Sequence, residues 1–187
     1  TTLDSLAGII AEGKNIIGNL TGAYNSPNMA AAYAIATYFE VSKEEISAAL
    51  EKYTPQNNRS QIILKDNRKI IMDAYNANPS SMAAALSNLS GMDLAPKIAI
   101  LGDMFELGAT TREEHREILE NYVKSGVDKI FLIGSNFAAI TSTSKKVKKF
   151  ATFEEFKNWF QPSEFNQGVI LIKGSRGMAL ERVLELL

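Results

Sequence analysis

The segment Lys69-Ile70-Ile71-Met72-Asp73-Ala74-Tyr75-Asn76-Ala77-Asn78-Pro79-Ser80-Ser81-Met82 decides how this chain is read. Its first four residues form an apolar strand pattern, and Met82-Ala83-Ala84-Ala85-Leu86 opens a helical one. A carboxylate, a tyrosine and two carboxamides therefore crowd onto a strand-to-helix turn. In open α/β sheets that carboxyl end of the strands is where ligands bind. A turn serving geometry alone would use Gly, Asp or Ser; the structural alternative is a polar turn capped by Asn78 or Ser80.

Outward from this turn the chain alternates strand and helix. Gln61 to Leu64 and Lys69 to Met72 read as a hairpin joined across Asp66-Asn67. Further strands are expected over Lys97 to Leu101, Lys129 to Ile133, Val147 to Ala151 and Val169 to Lys173. Helices are expected over Ser80 to Ser90, Thr111 to Ser125, Ser135 to Ser142, Thr152 to Phe160 and Gly177 to Leu186. Thr111-Arg112-Glu113-Glu114 and Thr152-Phe153-Glu154-Glu155 have the form of capping boxes, and Gly126 the form of a helix stop. Near-continuous apolar strands separated by helices imply α/β architecture: a mostly parallel sheet covered on both faces.

The first ~55 residues read as mostly helical, with the boundary in the Pro- and Asn-rich stretch Thr54 to Asn58. Asp4 to Glu12 is a short helix candidate stopped by Gly13. Ser26-Pro27 opens a long helix, Ser as cap and Pro at the first helical position. That helix is apolar almost all round (Met29, Tyr33, Ile35, Tyr38, Phe39), a pattern that demands burial on several sides. Ser42-Lys43-Glu44-Glu45 is a capping box opening a third helix to about Tyr53.

Composition bounds the chemistry. The 187 residues are 45% hydrophobic and 22% charged with a formal net charge of −1, the profile of a globular protein with a substantial core. Lys145-Lys146-Val147-Lys148-Lys149 lacks interleaved aromatics and reads as a solvated face, so nucleic acid is not an expected partner. The absence of cysteine excludes disulfides, thiolate metal sites and cysteine nucleophiles, and a single histidine, His115, cannot build a multi-histidine metal site. The longest apolar run, Met29 to Phe39, falls short of the ~20 residues of a membrane span. Thr1-Thr2-Leu3-Asp4 lacks an initiator Met and a basic n-region, so a signal peptide is not expected, the expected location is cytoplasmic, and the chain reads as a piece of something longer.

Polar groups gather at four places: Asp73 to Ser81; Gly102-Asp103-Met104-Phe105-Glu106-Leu107-Gly108 after a strand; Lys173-Gly174-Ser175-Arg176-Gly177 between the last strand and last helix; and Gly22-Ala23-Tyr24-Asn25-Ser26-Pro27-Asn28. Asp103 and Glu106 have the spacing to grip an amine or a metal-bound phosphate, or Asp103 caps a helix. Lys173 and Arg176 beside two glycines suit a carboxylate or phosphate. His115 is either a substrate contact or a packing residue. No phosphate loop G-x-x-x-x-G-K-[ST], no G-x-G-x-x-G fingerprint and no G-x-S-x-G elbow occurs.

In order and in residues, the four clusters and Arg59 resemble the C-terminal part of the Mur ligases, ATP-dependent amide ligases of bacterial cell-wall synthesis. The resemblance covers roughly residues 16 to 187 and is greatest to the branch that adds D-Ala-D-Ala to UDP-MurNAc-tripeptide. It implies that residues 1–57 are the helical end of a central ATP-binding domain and residues 58–187 a Rossmann-like C-terminal domain. The expected cofactors are ATP and Mg²⁺, the latter held mainly by other domains of the parent enzyme, which also carry the phosphate loop; no metal ligands are expected here, and this piece alone is expected to be inactive. By resemblance, Asn25 and Asn28 touch the base and ribose, Arg59 reaches the phosphates, Asp73 contacts the ribose, and Tyr75 lies against the adenosine. Asn76 and Asn78, with Ser80, face the dipeptide or the acyl phosphate. Asp103 and Glu106 suit the dipeptide's ammonium group, and Lys173, Ser175 and Arg176 a peptide carboxylate. The rival readings are another ligase of this superfamily, such as a folylpolyglutamate synthase or cyanophycin-type enzyme, and a receiver-like module with Asp73 or Asp103 as phosphoacceptor.

Overall fold

A computed structural model describes residues 6–187. Its main body is a six-stranded sheet in the order β3-β4-β8-β5-β6-β7. The strands are β3 (Gln61–Lys65), β4 (Arg68–Asp73), β5 (Lys97–Gly102), β6 (Lys129–Ile133), β7 (Val147–Phe150) and β8 (Gly168–Lys173). Only β3 runs antiparallel, paired with β4 across the expected Asp66-Asn67 turn; all other pairs are parallel.

Successive side chains of a strand point to opposite faces, and the apolar runs fill both. Ile71, Leu101, Leu132 and Leu171 face α3 (Pro79–Ser90), α4 (Thr111–Val123) and α5 (Ser135–Ala138) through Met82, Leu86, Ile118 and Phe137. Ile70, Met72, Ile100, Ile133 and Ile172 face α6 (Phe153–Trp159), the Pro162–Phe165 turn and the C-terminal turns through Phe156, Phe165 and Leu180. The α/β expectation and its strand positions hold.

The last strand in sequence, β8, lies between β4 and β5. The chain leaves β4, crosses by α3 to β5, builds outward to β7 and returns to fill the gap. Asp73, Lys173 and Gly102 thus end adjacent strands at the topological switch point, the place where open α/β sheets form their ligand crevice.

The N-terminal expectation is corrected in part. The helix expected from Asp4 begins outside the described residues, and from Leu6 the chain is a strand. β1 (Leu6–Ala11) and β2 (Lys14–Thr21) form an antiparallel hairpin. Glu12 and Gly13 both have positive φ, 49° and 81°, the backbone of a tight hairpin turn matched to strand twist. Gly13 reverses a strand rather than stopping a helix; over so short an apolar run, periodicity does not separate the two. The expected helices do form, as α1 (Ser26–Tyr38) and α2 (Lys43–Lys52), the latter with its Ser42–Glu45 capping box; Asn25 stands at the cap position of α1, and the Ser26 hydroxyl, expected to cap it, instead accepts from the Gly8 N–H at 3.3 Å. They pack on the hairpin through Ala7, Ile16 and Met29. Much of α1's apolar surface faces outward: Ile35 is 60% exposed and Tyr38 81%.

Four smaller expectations also change. Ala179 adopts φ 48°, ψ 46°, which breaks the expected final helix into short 3₁₀ turns at Arg176–Met178 and Leu180–Glu185. Thr111 forms no capping box, its hydroxyl bonding back to Gly108. Helix α4 ends at Val123, ahead of Gly126, and α5 spans one turn only.

Candidate functional site

Asp73, the last residue of β4, is the centre of the crevice. Its Oδ2 accepts from Lys173 Nζ at 2.6 Å, and its Oδ1 accepts from the Ser60 backbone N–H at 3.0 Å. Lys173 ends the neighbouring strand with its side chain only 2% exposed, and Nζ also donates to the Asn76 carbonyl at 3.2 Å. A lysine so buried is stable as a cation only with such partners. Lys173 is therefore not placed to meet a peptide carboxylate or take part in chemistry directly; it neutralises Asp73 and pins the loop that follows it.

Ser60 joins the site although it belongs to none of the polar clusters of the sequence. It takes a left-handed backbone (φ 50°), as does Asn58 (φ 57°), on either side of Arg59. Its hydroxyl lies 3.2 Å from the Tyr24 hydroxyl and accepts from Asn25 Nδ2 at 3.1 Å. Ser60 thus joins the Gly22-to-Asn28 loop to Asp73. Burial, with the Asp73 charge adding to it, pushes the Tyr24 phenol up to about 12. The local signal was Asn57-Asn58, residues that tolerate left-handed backbone.

Asn25 is buried, its amide spent on the Thr21 carbonyl (2.8 Å), Ser60 and the Asn28 side chain (3.1 Å). Asn28 is exposed and is the member of the pair that faces outward.

The loop after β4 presents Tyr75, Asn76, Asn78 and Ser80 to solvent. Asn76 accepts from the Ala77 N–H, and Asn78 caps α3 by accepting from the Ser81 N–H at 2.8 Å and the Ser80 hydroxyl at 2.9 Å. Both carboxamide oxygens hold the loop in shape, so Asn78 fills the structural role that the sequence left open. The Tyr75 ring carries the Arg59 guanidinium 3.7 Å from its centroid and that of Arg176 at 5.9 Å.

Two expected substrate residues are removed from the surface. Asp103 is 2% exposed, its oxygens accepting from the Asn136 and Phe137 N–H groups, each at 2.9 Å, at the start of α5. Exposed peptide N–H groups at a helix start favour a carboxylate, so this aspartate caps α5 and does not grip an ammonium group. His115 is fully buried; Nε2 accepts from the Met104 N–H at 3.0 Å, so Nδ1 carries the proton and donates to the Thr111 carbonyl at 2.6 Å. The ring packs on Phe137, centroids 4.5 Å apart. His115 is a packing residue that holds the Gly102–Gly108 loop.

Ser175, also expected at the substrate, is 4% exposed and ties three loops: its N–H donates to the Asp103 carbonyl (3.1 Å), its Oγ accepts from the Phe105 N–H (2.8 Å) and reaches the Ala77 carbonyl (3.4 Å). Glu106 and Arg176 remain exposed on this rim. The rim thus offers two guanidiniums, carboxamides, a phenol and a carboxylate, suited to holding an anionic ligand and an amine. Among the described residues no three of His, Cys, Asp and Glu converge on a metal-binding point.

Residues 58–176 match the family model described as Mur ligase, glutamate ligase domain. The chain is 33% identical to UDP-N-acetylmuramoyl-tripeptide–D-alanyl-D-alanine ligase of Treponema pallidum (strain Nichols), covering 96% of this chain and 40% of that protein. It is 31% identical to the enzyme of that name from Bacillus subtilis (strain 168), covering 89% and 38%. Crystal structure II of MurF from Acinetobacter baumannii aligns with a TM-score of 0.81 at 30% identity, over 92% of this chain and 39% of that one. MurF from Thermotoga maritima in complex with ADP, 23% identical over 97% of this chain and 42% of its own, shares the fold with a TM-score of 0.73. The chain spans about two-fifths of the length of these relatives. No helix among the described residues is long and apolar enough to cross a membrane.

Proposed function

The chain belongs to the Mur ligase family, and from that premise we propose that it forms the C-terminal part of an ATP-dependent amide ligase joining D-Ala-D-Ala to UDP-MurNAc-tripeptide in the cytoplasm. Residues 58–187 act as the C-terminal domain, and the preceding hairpin and helices, which have a core of their own, as the end of the ATP-binding domain. The observation that carries the reading is the run of contacts that ties Asn28 through Asn25 and Ser60 to Asp73 and sets Arg59 over the Tyr75 ring.

The reaction divides into two steps. The tripeptide carboxylate attacks the γ-phosphorus of ATP, forming an acyl phosphate and releasing ADP. The deprotonated dipeptide amine then attacks the acyl carbon, and phosphate leaves the tetrahedral intermediate. Mg²⁺, bound largely by residues outside this chain, supplies charge neutralisation on the phosphates. In this chain Asn28 contacts the nucleoside, and Asp73, neutralised by Lys173, presents the Ser60 segment and with it Arg59 to the phosphates. Asn76, Ser80 and Glu106 orient the dipeptide. Closing the crevice excludes the water that would hydrolyse the acyl phosphate.

The test is direct. The full-length protein carrying this chain, supplied with ATP, Mg²⁺, UDP-MurNAc-tripeptide and D-Ala-D-Ala, is expected to release phosphate and form the pentapeptide product, read by mass spectrometry. Phosphate release with another amine acceptor and none with D-Ala-D-Ala would reassign the substrate.

A further inference from the structure

Tyr75 is the meeting point of two residues 117 positions apart in sequence. Arg59 stacks on its ring at 3.7 Å, and Arg176 approaches at 5.9 Å. Each arginine is held there by a backbone-anchored neighbour. Ser60, next to Arg59, donates its N–H to Asp73, two residues before Tyr75. Ser175, next to Arg176, reaches the Ala77 carbonyl, two residues after Tyr75. The ring thus sits between two ties that bring both guanidiniums to it. Of the nearby acids, Asp73 is occupied by Lys173, and Glu181 lies 3.5 Å from Arg176 Nη1.

Two guanidiniums brought side by side repel unless something separates and holds them. The face of a tyrosine ring attracts such cations, and planar guanidiniums pair with phosphoryl oxygens through two parallel hydrogen bonds. The Arg59 guanidinium covers one face of the ring, so a nucleobase would have to compete with a cation there.

We propose that Tyr75 is a positioning residue whose ring holds Arg59 and Arg176 together as a paired clamp for the terminal phosphoryl group of the nucleotide. This rests on the ligase reading above. It changes two expectations: Tyr75 serves the phosphates through the arginines instead of lying against the adenosine, and Arg176 serves the phosphoryl group instead of a peptide carboxylate.

The experiment compares ATP and adenosine binding by titration calorimetry in the full-length protein and its Tyr75→Ala, Tyr75→Phe and Arg176→Ala variants, with unfolding midpoints as a check on folding. Tyr75→Ala is expected to weaken ATP roughly two- to thirtyfold, the range spanned by exposed to desolvated cation–π pairs, and to leave adenosine unchanged. Tyr75→Phe keeps the ring and is expected to restore most of the ATP affinity. Arg176→Ala is expected to weaken ATP while the KM for D-Ala-D-Ala stays constant. Equal loss of ATP and adenosine in Tyr75→Ala would make the ring a base platform and overturn the proposal. So would a change confined to the dipeptide KM in Arg176→Ala, or unchanged ATP affinity in both alanine variants. A wild-type protein that binds no ATP would reject the ligase reading itself, a result distinct from any of these.

Discussion

Asp73 and Lys173 are 100 residues apart in the chain and joined by a 2.6 Å ion pair that is almost wholly out of water. The pair forms because β8 inserts beside β4 in parallel register, so that Asp73 and Lys173 end the two strands side by side. Removing one partner of such a pair strands the other charge. Lys173→Met is therefore expected to destabilise the protein by about 3–5 kcal/mol in urea unfolding. Asp73→Asn keeps an acceptor for the Ser60 N–H, and combining it with Lys173→Met is expected to recover part of the loss. A coupling energy below about 0.5 kcal/mol in this double-mutant cycle would show that the pair is not a unit.

Asp73 also bears on nucleotide binding, since it anchors Ser60 beside Arg59. In the full-length enzyme Asp73→Ala is expected to raise the KM for ATP by tenfold or more, a loss of about 1.4 kcal/mol, with a much smaller change in the KM for the dipeptide. Steady-state kinetics with each substrate varied in turn decides this; an unchanged ATP KM would remove Asp73 from the site.

The seat of Asp103 depends on Gly134. Gly134 has φ 128°, and a Cβ there would fall 2.3 Å from the Asp103 carboxyl carbon. Gly134→Ala is expected to cost more than about 2 kcal/mol, because strain in a glycine-only backbone adds to a direct clash. Asp103→Ala leaves the Asn136 and Phe137 N–H groups unpaired and is expected to cost about 1–3 kcal/mol. Thermal unfolding reads both, and a neutral Gly134→Ala would mean that α5 shifts freely.

Tyr24 gives an alkaline signature. Its phenol is pushed up to about 12 from the ordinary 10.0, mainly by burial. The folded state thus favours the neutral form, and this contribution is complete below pH 10 and lost as pH rises from 10 to 12. Stability is expected to fall across that window in the wild-type protein and to fall less in Tyr24→Phe. Unfolding midpoints measured along an alkaline pH series check this, and identical slopes would place Tyr24 in water.

The strands of the sheet were legible because each is an apolar run bounded by turn residues, and the capping box at Ser42 because its signature is local. The hairpin at the N-terminus was not: Leu6–Ala11 is short and alanine-containing, and Glu12-Gly13 stops a helix or turns a strand depending on what pairs with it. The candidate site was half legible. Arg59, Tyr75, Asn76, Ser80, Glu106 and Arg176 are exposed near the crevice as their loops suggested. Asp103, His115, Lys173 and Ser175 carry the residue types of a ligand site yet are spent on the protein itself.

What the sequence by itself determined was the six strands of the main sheet, the helices that connect them and the loops that hold polar residues, since these follow from periodicity, capping and turn chemistry within a few residues. Which polar residues stay available to a ligand was decided only by the tertiary structure. Hydrogen-bond partners for Asp103 and Lys173 come from segments 33 and 100 residues away. A buried charge must be satisfied by whatever group the strand order sets beside it, and that order, with β8 between β4 and β5, is written in no single stretch of the chain.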